Sequence, residues 1–399
     1  MSICSLDTSL TALPAYTPSA AVPSYSPEPG HDERLIERAP YSKSRAPTGI
    51  FIQKSGRDTV VLFGQEENAE VPTYRRNGTI TGFVSIEDRD GVTKVLLTIK
   101  GKIEVLIPGG GFVTKTIVDE HRTLWSSENS GAPCPGDVPF SSVLPTTFIH
   151  EDRTYPLPPS YNASLISIGG ADVKVHYALS IVIFRKRKLS FLSAKNTTSV
   201  RFNYAPRTRP ARPIHPILTD FLSDIKVAPE EWRQSTTLLA PRATASVAPV
   251  HLSFFTPAAE IFALGDTVPF HVQLTGPAAS LRAFLPPAPG AGGQAIQVSL
   301  VRQLIAGAGA GASVRFTTAH ATLASAPPGA SADAHASLDW TGALVCPSDI
   351  QVGTFDAGVL KAQDFVVVDV APQGGAAAPF ARARHAHPVR LVSDPWPDT

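Results

Sequence analysis

From residue 173 to 184 apolar and polar positions alternate without a break. Val173, Val175, Tyr177, Leu179, Ile181 and Ile183 fall on one side, and Lys174, His176, Ala178 and Ser180 on the other. A period of two over that length fits a half-buried strand and fits a helix badly. The same pattern predicts strands at 59–63, 79–86, 92–107, 114–125, 138–148 and 200–204. In 92–107 the residues Val95, Leu97, Ile99, Ile103, Val105 and Ile107 share a face. Further strands are predicted at 268–275, 296–302, 313–323 and 364–370. Helical character is confined to 218–232, where Pro229-Glu230-Glu231 reads as a first turn. Asp88-Arg89-Asp90-Gly91 reads as a hairpin tip; a calcium loop would need three more oxygen ligands at set spacing. Short strands, frequent turns and little helix predict an all-β chain of antiparallel sandwiches.

Composition divides the chain. With 399 residues, 43% hydrophobic and 17% charged, it is long enough for two cores. Residues 1–48 read as a disordered tail rich in Pro, Ser and Tyr, without apolar periodicity. A first sandwich is expected over 49–205 and a basic, proline-rich linker with a short helix over 206–245. A second sandwich follows at 246–392, and 393–399 is a tail. Stretches rich in Ala, Gly and Pro at 286–294, 306–312 and 326–336 lack the bulk to pack and read as loops.

Charge is balanced globally at +1 but not locally. From 173 to 219 there is no Asp or Glu, while Arg185, Lys186, Arg187 and Lys188 stand in a row. A solvated hairpin loop accounts for such a row without any function. The functional alternative is contact with anionic lipid or phosphorylated protein, each basic group near such a surface adding about 1 kcal/mol. Cys4, Cys134 and Cys346 are too scattered for a disulfide framework or a metal spacing. With no signal-peptide pattern and no apolar run of spanning length, a soluble, cytoplasmic protein is expected. No nucleophile elbow, phosphate loop or zinc signature is present, and no catalytic residue, metal, cofactor or nucleic-acid partner is expected. His385 and His387 could share a strand face as a metal pair, but the arginines around them favour a solvated strand end. A glycosidase-type carboxylate pair would leave no local signature.

Three tyrosine–proline segments stand out. Leu13-Pro14-Ala15-Tyr16 and Pro23-Ser24-Tyr25 lie in the tail, and Pro158-Pro159-Ser160-Tyr161 matches the P-P-x-Y ligand of WW domains. Such ligands dock as preformed polyproline II. The third segment directly precedes the long strand at 173–184, so its tyrosine is expected to pack into the fold. The tail motifs are the better candidates.

Four segments together resemble the arrestin superfamily, specifically fungal arrestin-like proteins related to α-arrestins. They are Val71-Pro72-Thr73-Tyr74-Arg75-Arg76-Asn77-Gly78, Thr154-Tyr155-Pro156-Leu157-Pro158-Pro159-Ser160-Tyr161, Phe202-Asn203-Tyr204, and Ile261-Phe262-Ala263-Leu264-Gly265-Asp266-Thr267-Val268-Pro269-Phe270-His271-Val272. The resemblance implies tandem N- and C-terminal sandwiches and a non-enzymatic trafficking adaptor, peripherally associated with plasma membrane or endosomes. Its implied partners are cytosolic tails of membrane transporters or receptors and a WW-domain HECT ubiquitin ligase; anionic lipid is expected as a partner from the basic row at 185–188. Adaptors of that kind commonly carry P-P-x-Y motifs in a long C-terminal tail, whereas this sequence reaches Thr399 without one. Ligase recruitment therefore rests on Tyr16 and Tyr25. A retromer-like scaffold that sorts cargo without a ligase, or a carbohydrate-binding or hydrolytic β-sandwich, are the alternatives.

Overall fold

The computed structural model describes residues 33–35, 47–186, 193–215, 220–285, 295–307, 312–325 and 336–396. These form two sandwiches of facing sheets. In the first, Gly49–Ser55, Asp58–Gln65, Thr79–Ile86 and Asp137–Val143 make a four-stranded sheet in that order. Opposite it lie Thr73–Tyr74, Ser193–Tyr204, Asp172–Lys186, Val92–Ile107 and Gly111–Ser126, with Tyr161–Ser164 beside the start of Asp172–Lys186. In the second sandwich, Trp232–Leu239, Val250–Pro257, Thr267–Gly276, Ala336–Val345 and Thr322–Ser325 make one sheet. The other runs Ile261–Ala263, Ala383–Val392, Leu360–Val370, Ile296–Ala306 and Ala312–His320.

The two sandwiches repeat one topology. In each, a short strand pairs in parallel with the last strand, Thr73–Tyr74 with Asn203 and Tyr204, and Ile261–Ala263 with Arg390, Leu391 and Val392. The last strand then pairs antiparallel with a long central strand, which pairs with the first strand of a long hairpin. No sequence repeat announces this, because a sandwich constrains the parity of apolar positions and leaves their identity free.

Alternation sets the core. Val173, Val175, Tyr177, Leu179, Ile181 and Ile183 are all buried and meet Val60, Leu62, Ile80 and Val84 from the facing sheet. Tyr177 lies across Gly101 on the neighbouring strand, where a Cβ would stand 2.7 Å from its ring. That glycine lets the ring stack on Phe202 at 5.7 Å.

Several elements depart from the sequence expectation. Residues 88–91 join strands of opposite sheets, so they turn a corner rather than tip a hairpin. The stretch 138–148 splits into Asp137–Val143 and Thr147–His150, and 313–323 into Ala312–His320 and Thr322–Ser325, each pair in different sheets. In the stretch expected to be helical, the α-helix is Phe221–Val227, capped by Asp220 through the Ser223 N–H, and Pro229–Glu231 is only a 3-10 turn after it; contrary to expectation, a further short α-helix lies outside that stretch at Ala278–Leu281. Trp232–Leu239 is a strand inside the stretch expected as linker and short helix; polar residues on both faces, Gln234 and Thr236 on the exposed one and Arg233, Ser235 and Thr237 on the other, hide the apolar period. Glu33–Leu35, within the stretch expected as tail, pairs with Thr208–Pro210 of the linker. Residues 286–294, 308–311 and 326–335 lie outside the described residues.

Arg185 is the penultimate residue of the central strand of the first sandwich, and its side chain turns inward. It contacts the buried Asp58 carboxylate at 3.1 Å and the Asp88 carbonyl at 3.1 Å. Asn196 also donates to Asp58. One carboxylate thus ties three strands and the corner at 88–91 together. Removing a partner from a buried ion pair costs about 3–5 kcal/mol, because the other charge stays buried. Arg185→Ala should therefore lower stability by roughly that amount in chemical denaturation, whereas Lys186→Ala, at an exposed position, should stay within about 0.5 kcal/mol of the parent.

Candidate functional site

The sandwiches meet along an apolar seam. Leu304, Ala306, Val352, Phe355, Ala357, Val359, Leu360 and Ala362 of the second sandwich join the buried cluster of the first. The contact is close enough to need glycine at 358, which has φ +70°. A Cβ there would stand 2.9 Å from His150 Cδ2 and 3.0 Å from Tyr155 Cζ, both in the first sandwich.

At the centre of this seam sits Arg302, 1% exposed. Its Nε and Nη2 donate to the two Asp364 oxygens at 2.8 and 2.9 Å, and its Nη1 donates to the Val352 carbonyl at 2.9 Å. Thr354 Oγ1 donates to Asp364 at 2.7 Å and accepts the Leu391 N–H at 2.9 Å. Burial works against the guanidinium charge, but Asp364 offsets it and leaves the Arg302 pKa raised. From the first sandwich, Tyr161 reaches this group: its ring meets Phe355 edge-on at 5.8 Å, and the Arg302 charge lies close enough to act on its hydroxyl. Burial raises the Tyr161 pKa.

That geometry decides the fate of Pro158-Pro159-Ser160-Tyr161. Pro158 and Tyr161 are buried; the Tyr177 hydroxyl donates to the Pro158 carbonyl at 2.6 Å, and Ser160 exchanges bonds with Tyr204. The segment is a seam element whose tyrosine is turned into the fold, leaving only Pro159 and Ser160 half-buried at the wall of a cleft beside the seam. Leu13, Pro14, Tyr16, Pro23 and Tyr25 lie outside the described residues, as do Arg187 and Lys188. Of the basic row, Arg185 is committed to Asp58 and Lys186 is exposed.

Beside the seam opens a cleft of about 560 Å³, walled by both sandwiches and floored by the linker. Arg76, Asn203, Arg207 and Arg390 line it. Among the described residues Asp356 is its one carboxylate, and its partner is Lys361 at 3.2 Å. Arg207 pairs with Asp394 past the end of the last strand. A cleft with several guanidinium groups and one carboxylate among the described residues suits an anionic ligand better than a reaction needing two carboxylates. A second surface is the outer face of the four-stranded sheet. Ile50, Ile52 and Phe63 are 53%, 56% and 43% exposed there, and Phe63 lies 5.9 Å from Phe83. Sequence reasoning missed both, because a cleft between sandwiches needs the fold, and Ile50 and Ile52 look like core residues in the one-dimensional pattern.

His385 and His387 do share a strand face, but it is the inner one, in line with the buried Val389 and Leu391. The arginines at this strand end, Arg382 and Arg384, are exposed, while the two imidazoles are half-buried on the inner side. His387 packs on Phe254 at 4.9 Å. Among the described residues no group of three metal-ligating side chains converges.

No family model matches the chain, and no curated protein matches it either.

Two outcomes follow from these groups. Burial first, and then His385 and Arg233, push the His387 pKa down from 6.5 to about 4, and burial lowers that of His385. A folded state that binds its proton later than the unfolded one is fully stable above the unfolded value and loses stability as pH falls from about 6.5 towards 4. Denaturation midpoints measured across that window should fall with pH, and His387→Leu should flatten the slope. Separately, Arg302→Ala should cost about 3–5 kcal/mol by leaving Asp364 charged and unpaired, whereas the double change Arg302→Met with Asp364→Leu should recover most of it; urea melts of both variants check this.

Proposed function

We propose that this chain is a non-enzymatic scaffold of arrestin-like architecture that links cargo at a membrane to sorting machinery. The supporting observation is the repeated sandwich topology joined through one buried seam, with a cleft of about 560 Å³ between the halves. Such an arrangement offers a shaped, partly cationic surface to another protein, with Asp356 the one carboxylate among its described residues. The proposed cargo is the cytosolic tail of a transporter or receptor, and the proposed site of action is the cytoplasmic face of plasma membrane or endosome. Among the described residues no helix is long and apolar enough to cross a membrane, so association would be peripheral.

The burial of Tyr161 gives weight to a second reading. With that tyrosine buried, a ligase can be recruited only through Tyr16 and Tyr25, and a retromer-like scaffold without ligase recruitment needs neither. A carbohydrate-binding or hydrolytic role is less well supported, since Asp356 stands without a second carboxylate among the described residues of the cleft.

Two assays separate these. Isolated WW domains should capture the full chain and lose it when Tyr16→Ala and Tyr25→Ala are combined; failure of the intact chain to bind removes the ligase and leaves the sorting scaffold. In flotation with phosphatidylserine vesicles, neutralising Lys186, Arg187 and Lys188 together should weaken binding, each charge carrying about 1 kcal/mol. Arg185 is left in place because its loss would perturb the fold. Equal flotation of parent and variant would refute lipid contact at this corner.

A further inference from the structure

Glu33–Leu35 precedes the first sandwich in sequence, yet it pairs antiparallel with Thr208–Pro210 of the linker, Glu33 opposite Pro210, Arg34 opposite Arg209 and Leu35 opposite Thr208. The linker strand is held on its other edge as well. The Thr208 N–H donates to Ser393 Oγ at 2.9 Å, and the Thr208 carbonyl accepts the Asp394 N–H at 3.0 Å. Successive residues of an extended strand direct their backbone groups to opposite edges. Thr208 therefore faces the end of the second sandwich, and Arg209 faces the N-terminal strand. Pro210 falls on the same edge as Thr208, so its missing N–H does not weaken the pairing with Glu33–Leu35. The linker strand thus lies between the N-terminal strand, with which it forms a two-stranded sheet, and the bend at Ser393 and Asp394 that follows the second sandwich.

This ladder is weak by construction. A pairing of three residues is marginal alone. Its strength comes from being tethered in the same chain, which acts as a high effective concentration. A contact that is weak, local and tethered can be released and remade without unfolding either sandwich.

We propose that the outer edge of Thr208–Pro210 is a strand-acceptor surface filled in cis by Glu33–Leu35, and that this strand is a latch steadying the linker against the second sandwich. A partner that pulls on the N-terminal segment thereby loosens the linker, which also floors the cleft through Arg207 and Thr208. The latch connects a segment outside both sandwiches to the surface between them.

Hydrogen exchange read by mass spectrometry on the full chain tests this with two substitutions at one position. Arg34→Pro removes the N–H that faces the Arg209 carbonyl, whereas Arg34→Ala keeps it. The proline variant should exchange about tenfold faster over 207–212 and over 390–394, the weight of one to two backbone hydrogen bonds. The alanine variant should match the parent, and the interior of Val92–Ile107 should stay protected in both. Parent-like exchange over 207–212 in Arg34→Pro, or equal acceleration in Arg34→Ala, would overturn the latch.

Discussion

The buried pair Arg302–Asp364 is the constraint on which the arrangement of this molecule depends. A guanidinium and a carboxylate with almost no exposure are tolerable only when geometry is good and the remaining donors and acceptors are satisfied. Here the two carboxylate oxygens take both Arg302 bonds and the Thr354 hydroxyl, and the spare Arg302 nitrogen finds a carbonyl. The pair sits at the surface of the second sandwich that faces the first. It is dry because the first sandwich covers it with Tyr161. Separating the halves would return two charges and a patch of apolar surface to water and would break the Tyr161 contact. The halves are therefore bound by complementarity at one place, and the linker and the Arg207–Asp394 pair act as secondary ties.

Around that point the fold is economical. One topology is used twice, and each sandwich closes its curled sheet with the same device, a short strand laid parallel to its last strand. In the first sandwich that last strand, ending at Tyr204, leads straight into the linker. In the second it ends at Val392, beside Ser393 and Asp394, which hold the linker. The cleft follows from this geometry: it is the space left between two like bodies whose terminal strands approach through the linker.

Much of the fold was legible because alternation is a direct image of burial in a sheet. Val173 to Ile183 and Val95 to Ile107 mark their faces unambiguously. Legibility failed where the pattern lacked contrast. Gln234, Thr236 and Leu238 expose mixed side chains, and the strand Trp232–Leu239 escaped notice. At 138–148 the alternation continued in letters while Leu144-Pro145 turned the chain into another sheet. The functional residues divided in the same way. Tyr161 was placed inside the fold from its position ahead of the long strand, and it is itself the first residue of Tyr161–Ser164, which pairs with that strand. Arg185 could not be distinguished from Lys186, since its inward turn depends on Asp58, more than a hundred residues away in sequence. Arg302 and Asp364 were invisible for the same reason: nothing in one dimension brings them to one seam.

Scanning calorimetry of the full chain, with unfolding enthalpy compared by its calorimetric and van't Hoff values, tests the central claim most directly. A seam that binds the halves into one body predicts a single transition with matching enthalpies, and its division into two when Gly358→Val forces His150 and Tyr155 apart from the second sandwich. Two independent transitions in the unaltered chain would contradict the account, because the sandwiches would then fold without reference to each other.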